Sequence, residues 1–160
     1  MSHKRNLYTG RAGQLAVMSE FLVRGYNAAI PEVDVGDDIF VVRDADGNLW
    51  RIQVKTANCN ASGRDYSARF TVSLEQLEAP RTPDLTYVFA TRRRERWDNF
   101  VLITRQRLHD VYVKHRGRGS RKKSKNVTLT FAYRAARATC LSQDFTQYLN
   151  NWTDWPPIAH

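Results

Sequence analysis

Residues that staple a chain are scarce here. Cys59 and Cys140 are the only cysteines, they form no CxxC pair, and no histidine stands at ligand spacing from them. A disulfide framework and a structural zinc site are therefore not expected, and a reducing, cytoplasmic setting is. No apolar run approaches the roughly 18 residues that a membrane span requires, so no membrane partner is expected. The opening segment MSHKRNLYTGRAGQ has basic residues but no continuous apolar stretch behind them, and does not read as a signal peptide. No repeat is visible. With 160 residues, 42% of them apolar and 26% charged, the chain reads as one globular domain over residues 1–160, too short for two ordinary ones.

Acid is scarce in the second half. Residues 1–80 hold 9 basic and 10 acidic side chains, residues 81–160 hold 16 and 6, so the net charge of +9 divides as −1 and +10. One-sided basic charge is expected of a protein that meets a polyanion, because Lys and Arg gain by neutralising phosphates and releasing counterions. The segment KHRGRGSRKKSK, residues 114–125, concentrates the effect: Lys114, Arg116, Arg118, Arg121, Lys122, Lys123 and Lys125 without one acid. As a loop it can clamp phosphates, its glycines permitting close approach to a backbone; a solvated surface loop is the bland alternative. RRRERW, residues 92–97, is a second basic candidate in which Glu95 and Asp98 can pair internally.

The periodicities predict a helix over residues 12–24, with Leu15, Val17, Met18, Phe21 and Leu22 at helical spacing and Gly25 as its stop. A short strand in YNAAIPEV follows, then strands DIFVVRD and LWRIQVKT joined by the turn Ala45-Asp46-Gly47-Asn48. NCNASGRDY reads as a polar loop and ARFTVS as a strand. SLEQLEAP reads as a short helix capped by Ser73 and stopped by Pro80. LTYVFAT and NFVLITR read as strands, RQRLHDVYVKH as a helix, NVTLTFAY as a strand, and SQDFTQYLNNW as a helix capped by Ser142 and ended by Pro156-Pro157. Trp152 and Trp155 are expected to pin this last segment to the body. The order implies a single-domain α/β or α+β fold with a mixed β-sheet flanked by helices.

In LWRIQVKT, Arg51, Gln53 and Lys55 share one face and Ile52 and Val54 the other. A sheet with one wet face alternates in this way without any chemistry. The Asp-Gly turn, however, brings Asp38 opposite the end that carries Gln53 and Lys55. A carboxylate, an amide oxygen and an ammonium would then converge, a set that can hold a hard divalent cation against a phosphate and orient a water beside it.

Asp38 followed by Gln53-Val54-Lys55, with a helix before it, resembles the motif of the PD-(D/E)xK nuclease superfamily, the restriction-endonuclease-like proteins that include Holliday-junction resolvases and some homing endonucleases. The resemblance is carried by residues 10–57, GRAGQLAVMSEFLVRGYNAAIPEVDVGDDIFVVRDADGNLWRIQVKTA. It implies a restriction-endonuclease-like fold and a Mg²⁺- or Mn²⁺-dependent endonuclease that hydrolyses DNA phosphodiesters, with no small-molecule cofactor. RNA is the less favoured partner, and a homodimer is compatible with two-strand cutting. Asp38 would bind metal with Gln53 and the Val54 carbonyl, and Lys55 would position the water. The helix position that carries a glutamate in many relatives falls on Gln14, with Glu20 as the alternative, six residues or about 240° further round. Gln14 and Gln53 stand where acids are usual, so Asp34 or Asp37 is a candidate further ligand, a solvated acidic turn being the other reading. A catalytically weak or inactive nucleic-acid-binding module of the same fold is the alternative function.

Overall fold

The computed structural model describes residues 2–33, 35–62, 65–117 and 124–158, with backbone alone for 2–5 and 61–62. The elements run α1 (Ser2–Leu22), β1 (Asn27–Ala29), β2 (Ile39–Arg43), β3 (Asn48–Ser62), β4 (Asp65–Ser73), α2 (Leu74–Glu78), β5 (Leu85–Arg93), β6 (Arg96–Thr104), α3 (Arg105–Arg116), β7 (Asn126–Arg134), β8 (Arg137–Cys140), β9 (Gln143–Asp144) and a 3₁₀ turn (Thr146–Tyr148). The expected α/β class with a mixed sheet is the one observed.

β3 organises the molecule. Its first part pairs antiparallel with β2 and parallel with β5, from Arg51↔Leu85 to Asn58↔Arg92. Its last part, from Cys59↔Ala68 to Ser62↔Asp65, turns to β4, which continues through β7, β8 and β9. The described residues of NCNASGRDY are thus strand, paired between β3 and β4, rather than the expected loop. Their polar composition misled because these residues lie where one strand passes from one half of the sheet to the other, with Asn58 and Asn60 on an uncovered face.

The two halves enclose a core of Leu85, Tyr87, Phe89, Val101 and Ile103 against Phe70, Val72, Leu129, Phe131 and Tyr133, closed by Leu77 of α2 and Leu108 of α3. A second core lies on the opposite face of β2, β3, β5 and β6, where Val17 and Phe21 of α1 meet Ile39, Val41, Ile52, Val54, Val88 and Trp155. Both faces of β3 are therefore covered over this stretch. The wet-face expectation for Gln53 is wrong: its residue is 6% exposed.

α1 approaches the sheet along Gly13, Val17 and Phe21, an i, i+4, i+8 line. Contact is close enough that a Cβ on Gly13 would lie 2.2 Å from Thr56 Cγ2. Leu15 and Leu22, expected among the apolar positions, lie outside this line and are 49% and 52% exposed.

α2 begins at the predicted cap, Ser73 Oγ accepting from Gln76 N–H at 3.3 Å, and α3 is capped in the same way by Thr104 Oγ1, which accepts from Arg107 N–H at 3.3 Å. The helix expected over SQDFTQYLNNW is absent. Leu141 and Ser142 take positive φ, 50° and 58°, and turn the chain from β8 into β9, leaving only the 3₁₀ turn. Phe145 inserts into the core between the half-sheets and Trp155 into the core under α1, so this segment must run round the edge of the sheet. One continuous helix would not deliver both aromatics. Trp152 and Trp155 stack edge-on against Phe21, as the pinning role expected of them requires.

Candidate active site

The β2–β3 turn sets the register on which the site depends. Gly47 has φ +70°, Asp46 Oδ1 accepts from Asn48 N–H at 3.0 Å, and Gly47 N–H donates to the Arg43 carbonyl at 2.8 Å. Pairing then runs from Arg43↔Asn48 to Ile39↔Ile52, where β2 ends. Asp38 N–H adds one more bond, to the Ile52 carbonyl at 2.8 Å. From there the Asp38 side chain takes over the edge of β3: its Oδ2 accepts from Val54 N–H at 2.6 Å and from Gln53 Nε2. The N–H and C=O of one strand residue face the same edge, so the Val54 carbonyl also points to this side.

Gln53 is held from its other end. Its Oε1 accepts from Gln76 Nε2 at 2.8 Å, and the same Nε2 donates to the Gly36 carbonyl at 2.7 Å. Tyr87, opposite Gln53 in the β3–β5 register, donates its hydroxyl to Gln76 Oε1 at 3.2 Å. Burial raises the Tyr87 hydroxyl well above its ordinary pKa, keeping it a protonated donor.

From the opposite face, Gln14 Nε2 donates to the Asp38 carbonyl at 2.6 Å, while Arg11 Nη1 donates to Gln14 Oε1 at 2.7 Å. Glu20, the alternative, is ion-paired to Arg24 at 2.7 Å. Asp37 is no solvated turn residue. Its side chain is wholly buried and accepts from Arg51 Nη2 at 2.5 Å and Arg81 Nη1 at 3.2 Å, which commits its oxygens to guanidinium rather than metal. Asp34 lies outside the described residues.

Lys55 stands two residues beyond Gln53 on the same face and borders two openings. One, of about 400 Å³, is lined by Asp38, Gln53, Lys55, Glu75, Gln76 and Arg81. The other, of about 470 Å³, lies between α1 and β3–β4, with Thr9, Asn58, Asn60, Arg69 and Thr71 on its walls. Of the basic segment, Lys114 and Arg116 end α3 and Lys125 precedes β7; Arg118, Arg121, Lys122 and Lys123 lie outside the described residues. The Lys125 carbonyl accepts from Leu74 N–H at 3.0 Å, so the segment rejoins the body beside α2, which also forms a wall of the smaller opening.

Among the described residues no three His, Cys, Asp or Glu side chains are grouped to hold a metal. What is grouped is one carboxylate, one backbone carbonyl and one amide, all hard oxygen donors of the kind Mg²⁺ and Mn²⁺ take. They fit such a cation on one condition: the Gln53 amide must turn, since its N–H end now faces Asp38. Sequence reasoning singled out Asp38, Gln53, Lys55 and Gln14, which the structure brings near one another, and did not single out Gln76, Tyr87 or Arg81, nor the ion pair of Arg51 with Asp37. Only the N-cap of α2 hinted at Gln76, and no local pattern reveals contacts 23 and 44 residues away in the chain.

No protein-family model matches the sequence, and comparison with characterised protein sequences gives no match. Among solved structures the chain is similar to a bacterial homing endonuclease, I-Ssp6803I, with a TM-score of 0.53 and 17% identity over 91% of this chain and 86% of that one. What the likeness establishes is a fold shared, over nearly the whole chain, with a protein that is an endonuclease.

Proposed function

We propose that this protein is a divalent-metal-dependent DNA endonuclease. The observation that carries the reading is the convergence of Asp38, Gln53, the Val54 carbonyl and Lys55 where β2 ends beside β3, with an opening of about 400 Å³ in front of them. The motif resemblance and the likeness to a homing endonuclease support it. Asp38, Val54 and Gln53 would hold the cation, which when bound lowers the pKa of a coordinated water and offsets charge on the phosphate. Lys55 orients the attacking water and donates to a non-bridging phosphate oxygen. Gln14 fixes the backbone of Asp38 from behind, a positioning part. DNA would lie across Lys55 and the groove beside Arg69, where Asn58, Asn60 and Thr71 offer neutral hydrogen-bonding groups. The basic segment at 114–125 would add phosphate contacts, its described members being Lys114 and Arg116 at the end of α3 and Lys125 beside α2.

One observation favours the alternative of a non-cleaving binding module: with Asp37 engaged by arginines, Asp38 and the exposed Glu75 are the described carboxylates left to line the opening. Incubating the protein with supercoiled, linear and four-way-junction DNA and with RNA, in Mg²⁺, Mn²⁺ or chelator, decides between them. Metal-dependent cutting of DNA that is lost in Asp38→Ala and Lys55→Ala, with binding retained, is expected. Binding without cutting on every substrate would establish the module instead. Gln14→Ala should impair cutting more than Glu20→Ala.

A further inference from the structure

We propose that Gln76 is a positioning residue that controls which end of the Gln53 amide faces Asp38, so that Gln53, Gln76 and Tyr87 reverse their hydrogen bonds together when a divalent cation enters. The inference rests on the reading of Asp38 and Gln53 as cation-holding residues.

A primary amide has a donor end and an acceptor end. Here the Gln53 N–H₂ faces Asp38 Oδ2 and its oxygen accepts from Gln76 at 2.8 Å. A cation on Asp38 needs the Gln53 oxygen on its own side, which takes a half-turn of the terminal amide, a broad and roughly two-fold torsion. The turn would set Gln53 Nε2 against Gln76 Nε2, donor against donor. Gln53 is 6% exposed, so an unmet donor there carries much of its desolvation penalty.

Gln76 must therefore turn as well, presenting its oxygen to Gln53 and its N–H₂ to Tyr87. The Tyr87 hydroxyl, fully buried and now donating to Gln76 at 3.2 Å, is both donor and acceptor and can receive that proton. The chain of reversals ends there, because a hydroxyl changes role by rotating its hydrogen; in doing so it gives up the bond it now donates to Gln76. The bond from Gln76 to the Gly36 carbonyl, 2.7 Å, is given up. Arg81 Nη2 donates to the neighbouring Val35 carbonyl at 2.9 Å and stands 3.2 Å from where a Cβ on Gly36 would lie, a guanidinium donor in the same loop. Gly36 itself, at φ +90°, allows this close packing: a Cβ there would sit 2.6 Å from Gln76 Nε2. With a glutamate at 53 the switch is unnecessary, since both carboxylate oxygens accept.

The test is Mn²⁺ binding to the full chain without DNA, by calorimetry or by loss of the free-ion paramagnetic resonance signal, in wild type, Gln76→Glu, Gln53→Glu and the double variant. Native-like denaturation curves serve as the folding control. A glutamate at 76 only accepts, so it holds Gln53 with its oxygen toward Asp38, and Mn²⁺ should bind about tenfold more tightly. In the Gln53→Glu background the same change sets two carboxylates face to face and should weaken binding by about tenfold. Opposite signs in the two backgrounds are the signature of the relay. Tightening in both would reduce Gln76→Glu to a nearby negative charge, and weakening in both to a structural role; either overturns the inference while leaving the cation site standing. If neither wild type nor Gln53→Glu binds Mn²⁺, the cation reading itself falls, and the relay with it.

Discussion

Replacing Gly13 by alanine sets helix propensity against packing, and the structure says packing wins. In an exposed helix interior the change would gain about 1 kcal/mol. Here the new methyl would lie 2.2 Å from Thr56 Cγ2 and 2.9 Å from the Trp97 ring. The Thr56 backbone is fixed in β3 opposite Ala90 of β5, so α1 must lift or Thr56 must leave its rotamer. Overpacking of this kind costs about 1–3 kcal/mol, for a net loss of about 1 kcal/mol. Thr56→Ser removes the nearer obstacle and leaves only the edge of a movable ring, so in that background Gly13→Ala should be neutral or stabilising. The coupling, about 1–2 kcal/mol, is read from urea denaturation of the four-variant cycle with unchanged m values. Because Gln14 follows Gly13, lifting α1 also stretches the 2.6 Å bond from Gln14 to the Asp38 carbonyl, and cleavage should fall in Gly13→Ala and recover in the double variant. A Gly13→Ala protein more stable than wild type with Thr56 in place would refute the reasoning.

Asp37→Ala strands Arg51 and Arg81, which keep about a fifth of their side chains in solvent, so the loss should be about 2 kcal/mol rather than the larger figure for a fully buried pair; a loss below about 0.5 kcal/mol would mean that the cluster carries little. Above pH 9 stability should decline. Burial pushes the Cys140 thiol from its ordinary 9.0 up to about 12, and burial also raises Tyr133 well above 10, so the folded state keeps protons that the unfolded chain releases. Each group therefore removes stability as pH rises past its unfolded value, at about 1.4 kcal/mol per pH unit, and a denaturation midpoint unchanged between pH 8 and 10.5 would contradict this. For the same reason an alkylating reagent should label Cys59 in the native protein and reach Cys140 only in denaturant, as intact-mass measurement will show.

Much of the frame was legible in the chain. Alternation in IFVV and LWRIQV with Asp46-Gly47 between them set the hairpin register, and that register alone carried Asp38 to Gln53. Ser73 announced a helix start, and the spacing of Val17 and Phe21 announced a buried helix face. Two elements misled. NCNASGRDY is polar, which suggests a loop in isolation, yet its described residues form strand because the ends of β3 and β4 pair with each other there. SQDFTQYLNNW has a helical pattern, yet its Phe145 and its Trp152 pack on cores on opposite sides of one sheet.

The sequence by itself determined the hairpin, the charge asymmetry and the identity of the groups at its end, because these follow from turn chemistry, strand periodicity and composition over short distances along the chain. Tertiary structure alone decided the state of those groups. Whether Gln53 is wet or buried depends on α2 folding over it, whether Asp37 is a ligand depends on Arg51 and Arg81 reaching it, and which way the Gln53 amide points depends on Gln76 and Tyr87. Contacts between residues far apart in the chain leave no periodic trace, and dielectric, exposure and hydrogen-bond direction are set by such contacts.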